Sequence, residues 1–137
     1  MSNLIFGGLM GNRRGVMTPE RLKKYRETAF QRFDAEKKIL DQRFSHAWKT
    51  ARSAAALLKK RGTVKKVAVF GSLLDKSAFH QRSDIDLAVW GLDEKLYFRA
   101  VAWLMMDMDT DIDINIVRIE DAKESLRQTI ESEGVVI

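Results

Sequence analysis

Cysteine is absent from this 137-residue chain, and proline occurs once, at Pro19. Without thiols no disulfide can staple the fold. No apolar run approaches the roughly 20 residues needed to cross a bilayer, so membrane insertion is not expected either. Together these absences imply an intracellular, cytoplasmic protein. The short apolar patch Leu4–Met10 is followed by Arg13 and Arg14, whereas a secretory signal places its charges first. Residues 1–17 are therefore read as a disordered leader, with Met17 a candidate functional start. Histidine occurs twice, and neither His46 nor His80 has a metal-ligand companion, so both read as surface residues.

The length suits one domain with a real core. Its net charge of +5 conceals an asymmetry. Residues 1–66 carry seventeen Lys/Arg against five Asp/Glu, and residues 67–137 carry seven against fourteen. A basic arm thus precedes an acidic body, which suggests an anionic partner for the arm: a nucleic acid or an acidic protein surface, including that of a second copy. The basic side chains between 21 and 66 are scattered around the helix and not interleaved with aromatics, so a solvated face stands beside the nucleic-acid reading.

Thr18 followed by Pro19 marks a helix start, because the hydroxyl can cap a free N–H and proline is tolerated at the first helical position. Apolar residues then recur at three- and four-residue steps through Leu22, Tyr25, Ala29, Phe33, Leu40, Phe44, Ala47, Ala51, Ala54 and Leu58, with no breaker before Gly62. A single helix over 19–61 would be roughly 60 Å long. Two readings remain open: a break near Asp34-Ala35-Glu36, or one helix whose apolar stripe meets a partner helix, most simply in a homodimer.

Beyond Gly62 the pattern alternates. Strands are expected over 64–70, 84–89 and 111–117, helices over 94–106 and 121–131, and a short last strand at 135–137. In the first of these helices Leu96, Phe98, Val101, Leu104 and Met105 form the expected apolar face. The fold class is α/β (α+β): a small mixed sheet with helices packed on it, preceded by a long helix. The expected layout is a leader at 1–17, a basic helical arm at 18–62 and a catalytic domain at 63–137. Trp48 and Trp103 read as packing residues. Trp90 reads first as a rim or core aromatic and only second as a base-stacking platform.

Chemistry concentrates where the strand Val67–Phe70 ends in Gly71-Ser72. A glycine and a small hydroxyl there let the backbone approach a phosphate. Eleven residues later comes Ser83-Asp84-Ile85-Asp86-Leu87. Alternation puts Asp84 and Asp86 on one face, about 6–7 Å apart along the strand. Two carboxylates so placed repel each other unless a divalent cation offsets the repulsion. Mg²⁺, which is held by one or two carboxylates plus substrate phosphates, suits the pattern. In the third strand Asp111, Asp113 and Asn115 share a polar face. That is either a solvated surface or the source of a third carboxylate for the site.

Gly71-Ser72, eleven residues, then Asp84-Ile85-Asp86-Leu87 resembles the signature of the DNA polymerase β-like nucleotidyltransferase superfamily, in particular its minimal members. The run from Ile119-Glu120-Asp121 to Gly134-Val135 is similar to the tail of stand-alone members, so the resemblance covers about 64–137. It implies transfer of a nucleoside monophosphate, AMP from ATP in the first instance, to an acceptor hydroxyl, with Mg²⁺ or Mn²⁺ and release of pyrophosphate. Gly71, Ser72, Ser83 and Arg82 would contact the nucleotide, Asp84, Asp86 and Asp113 the metal, and Asp113 or Asn115 the acceptor. The partners implied are a HEPN-type toxin protein, with this chain as adenylylating antitoxin, or an RNA, protein or small-molecule acceptor.

Two departures bear on activity. The Arg-Gly common after the Gly-Ser is replaced by Leu73-Leu74-Asp75-Lys76, so that the basic phosphate contact is either absent or moved to Lys76 or Arg82. Counting back from Ile119, the family's third aspartate falls on Asn115, which cannot act as a base, unless a register shift brings in Asp113. The competing reading is a catalytically weak binding module on the same fold.

Overall fold

The computed structural model describes residues 17–137; the expected leader, Met17 apart, lies outside them. The chain divides at Ile39/Leu40 into two units. Thr18 Oγ1 accepts from the Arg21 N–H at 3.1 Å, capping the helix that begins beside it. That helix, α1, spans Pro19–Arg61 without the break considered at Asp34–Glu36. Nothing in this stretch breaks a helix, and Lys59, Lys60 and Arg61 place positive charge at its C-terminal end, where the dipole favours it. Its residues up to 39 are largely exposed, with Tyr25 at 65% and Phe33 at 67%.

In the second unit, the later turns of α1 bury Ala47, Ala51, Ala54, Ala55 and Leu58 against the sheet core. Strand β1 is Lys66–Phe70, β2 is Ile85–Trp90, β3 is Ile114–Arg118 and β4 is Val135–Val136. They form one sheet in the order β3-β2-β1-β4. β1 pairs antiparallel with both β2 and β4, whereas β2 and β3 are parallel. Parallel neighbours need a crossover, and helix α2, Tyr97–Asp107, supplies it. Helix α3, Glu124–Glu133, packs Ile130 and Leu126 on the opposite face, with Ala88, Phe70 and Trp90.

Several boundaries differ from the sequence expectation, for local reasons. β3 starts at Ile114 and not at residue 111, because its ladder begins where β2 begins, with Ile85 opposite Ile114. Upstream, Asp111 is held by Arg43 at 3.1 Å, and Thr110 Oγ1 accepts from the Ile112 N–H. The helix expected from 94 opens with a 3-10 turn, Glu94–Leu96, fixed by Asp93 accepting from the Lys95 N–H. The inward face of α2 carries Ala100 and Leu104, while Phe98 (82%) and Met105 (78%) are exposed. The last helix starts at Glu124 because Ile119–Asp121 forms a separate 3-10 turn. No described helix is long and apolar enough to cross a membrane.

Candidate functional site

The register aligns three side chains across three strands: Phe70 opposite Asp86, and Asp86 opposite Asn115. All three lie on the face away from the main core, since Val69, Leu87 and Ile116 alternate with them and pack into that core. Asp84, just before β2, lies one side-chain repeat from Asp86. The Asn115 amide joins the two carboxylates, with Nδ2 3.3 Å from Asp84 Oδ2 and 3.1 Å from Asp86 Oδ1. An amide that meets two carboxylates must present its NH₂ to them. Burial pushes Asp86 above the ordinary carboxylate range; the Asn115 amide draws it partly back, and the charge of Asp84 raises it further.

β1 ends at Phe70, and the chain turns through Gly71–Leu74 in one 3-10 turn. Gly71 adopts φ +79°, in the region where side chains are strained, and a Cβ built there would collide with Asp86 Oδ2. The residue is thus required twice, by backbone conformation and by the close approach of the carboxylate. Ser72 is half-buried, and Leu73 is fully buried and anchors the turn in the core.

The loop between the motif halves is held at both ends and in its middle. Asp75 accepts from the Ser77 N–H and hydroxyl, which hold its carboxyl below the usual range. Phe79 is 2% exposed and meets Phe44 of α1 edge-on, with centroids 5.3 Å apart. Ser83 is buried, and its Oγ accepts from the His80 N–H at 2.9 Å, so it acts as a strut of the loop. Arg82 is exposed at the loop's end, its N–H donating to His80 Nδ1. Lys76 is turned to α1, paired with Asp41 at 3.2 Å and lying over Phe44. Of the two basic candidates, Lys76 is thus committed elsewhere.

No register shift brings Asp113 beside Asp86. Its carbonyl accepts from the Ile85 N–H, its side chain is exposed, and the position alongside Asp86 belongs to Asn115. Among the described residues no group of three or more His, Cys, Asp or Glu is placed to hold a metal. His46 lies 3.5 Å from the Thr50 hydroxyl, and Trp90 packs near Ala88 with Lys66 over its ring at 4.3 Å. Sequence reasoning missed Phe70 and Phe79. Phe70 follows from antiparallel pairing of the two motif strands; Phe79 leaves no signal, being one aromatic in a polar loop.

The Polymerase beta, Nucleotidyltransferase family matches residues 53–137. The chain belongs to this family. The matched region starts within α1 and includes the whole sheet. Among solved structures, a toxin-antitoxin MntA-HpeT mutant with two Asp→Glu substitutions two positions apart is 22% identical, with a TM-score of 0.51 over 63% of this chain and 70% of that one. A Tyr→Ala mutant of the same pair is 24% identical, with a TM-score of 0.50 over 63% and 69%. A toxin-antitoxin structure with AMP-PNP is 24% identical, with a TM-score of 0.50 over 61% and 69%. At these identities the likeness is one of fold. No curated protein matches.

The arrangement offers hard oxygen donors from Asp84 and Asp86 and a bend without a Cβ at Gly71. This donor set fits a divalent cation shared with a polyphosphate.

Proposed function

We propose that this nucleotidyltransferase transfers AMP from ATP to an acceptor hydroxyl and releases pyrophosphate. The observation that carries the reading is the convergence of Asp84 and Asp86 beside the Gly71 bend. Mg²⁺ or Mn²⁺ held by these carboxylates would supply charge neutralisation at the triphosphate. Gly71 and Ser72 receive the phosphates through backbone and hydroxyl donors. Arg82, exposed at the loop end, adds positive charge, and Ser83 keeps the loop in shape. Asn115 orients the incoming hydroxyl; Asp113, one repeat away, is the weaker candidate for that role. No side chain of the site suits a covalent intermediate, so the acceptor oxygen attacks the α-phosphorus directly.

The acceptor belongs to a partner. A HEPN-type toxin protein is the first candidate, in keeping with neighbours described as toxin-antitoxin structures, one of them with AMP-PNP; an RNA acceptor is the second. A homo-oligomer through the arm is also proposed, because the helical spacing of the buried residues Ala47, Ala51, Ala54 and Leu58 continues N-terminally in Leu22, Tyr25, Ala29 and Phe33. The expected setting is the cytoplasm.

Labelled ATP, Mg²⁺ and candidate acceptors test the assignment: the wild type is expected to transfer label from the α-phosphate, and Asp84→Asn/Asp86→Asn to lose it. Isothermal titration that finds nucleotide and metal binding unchanged in the double variant would remove the basis for this site. Asn115 in the third position favours one other reading, a nucleotide-binding module with little turnover. Binding without label transfer to any acceptor would select it.

A further inference from the structure

Asn115 is the residue of this site that offers donors where its neighbours offer negative charge. Its NH₂ contacts both Asp84 and Asp86, at 3.3 and 3.1 Å, and the strand register holds it level with Asp86. The nearest other acid on β3's approach, Asp113, lies one repeat before Asn115. The carboxylates available to a cation are therefore two, and no third acidic group among the described residues completes a larger cluster.

Two adjacent divalent ions repel each other and need bridging anionic ligands at a separation of about 3.5–4 Å. Two carboxylates and a triphosphate suffice for one such ion. A second requires further anionic oxygen, and beside the two carboxylates β3 presents an amide. We propose that Asn115 restricts the site to a single divalent ion, the one shared by Asp84, Asp86 and the triphosphate. It acts as a positioning residue, keeping the two carboxylates together through its NH₂ and leaving no seat for a second cation. This rests on the nucleotide-site reading above and adds to it the number of metal ions and the residue that sets it.

The test is electron paramagnetic resonance of the full chain with Mn²⁺ and AMP-PNP. Two Mn²⁺ ions in bridging distance give an exchange-coupled spectrum, and a lone ion an isolated six-line one. The wild type is expected to show protein-bound Mn²⁺ with no coupled component, and Asn115→Asp to acquire one, with bound Mn²⁺ rising from one to two per chain. A coupled spectrum in the wild type overturns the proposal while leaving the nucleotide site intact, as does an Asn115→Asp protein that binds Mn²⁺ but stays uncoupled. Should wild type and Asp86→Asn hold the same Mn²⁺, or none, the site assignment falls and the proposal with it. A coupled wild-type spectrum overturns the proposal even if the variant fails to fold.

Discussion

Asp86 and Leu87 are neighbours in β2, and they face opposite sides of the sheet. Leu87 is fully buried with Val69, Ile85 and Ile116, under the alanine-lined turns of α1. Asp86 is half-buried beside Phe70, Asn115 and the Gly71 bend. One strand therefore carries core packing on one face and the proposed chemistry on the other through its two-residue alternation, and the two faces obey different rules. The core face gains from every apolar group removed from water. The other face holds two like charges together, an arrangement unfavourable to the empty fold.

That contrast predicts effects of opposite sign at adjacent positions. Leu87→Ala is expected to destabilise by about 2–5 kcal/mol in urea unfolding, from lost burial plus the residual cavity. A loss below about 1 kcal/mol would mean that the core face collapses around the gap and is not the rigid side of the sheet. Gly71→Ala comes next, at about 1–3 kcal/mol, because it forces a side chain into a strained conformation and against Asp86. The same variant should weaken Mn²⁺ binding, since Asp86 must move; an unchanged affinity would show that the bend and the carboxylate are independent.

Asp86→Asn reverses the sign. Folding raises the Asp86 pKa, so the folded state favours the protonated form. The associated stability is complete below the ordinary value of 3.8 and is lost as pH rises through the raised one. At pH 7 the ionised carboxylate thus weighs against folding. Replacement by a neutral isostere should raise Tm at pH 7, with the gain vanishing towards pH 3.8, even as metal binding disappears. A lower Tm at pH 7 would break the comparison. The smallest effect on stability is expected outside both faces. Tyr25→Ser with Phe33→Ser, at positions 65% and 67% exposed, should change unfolding free energy by no more than about 0.5 kcal/mol. Sedimentation should nonetheless shift from oligomer to monomer, and a wild type already monomeric at micromolar concentration would remove the proposed role of this stripe.

Much of this contrast is legible in the chain itself. Alternation in Asp84–Leu87 separates the two faces, and spacing gives the start of α1 at Pro19, the approximate place of each strand and the inward Leu126 and Ile130, though not whether α1 runs unbroken past Asp34. Element ends are less legible, because they depend on partners. β3 could not be trimmed to Ile114 without knowing where β2 begins, and α2 could not be oriented while Phe98 and Met105 seemed as apolar as its buried side. The third site position needed the register as well. Asp113 and Asn115 share a face in the sequence, and only the pairing with Asp86 decides which of them meets the carboxylates. Lys76 was equally opaque, since its partner Asp41 is distant in the chain.

The Phe79–Phe44 contact bears on how the site meets its ligand. An untethered eleven-residue spacer would let the glycine bend and the acidic strand fluctuate separately, and each binding event would have to freeze it anew. Fastened near its midpoint, the spacer becomes two short spans with less freedom to lose on binding. Recognition then meets a frame ordered in advance, and little of the interaction energy is diverted to loop ordering.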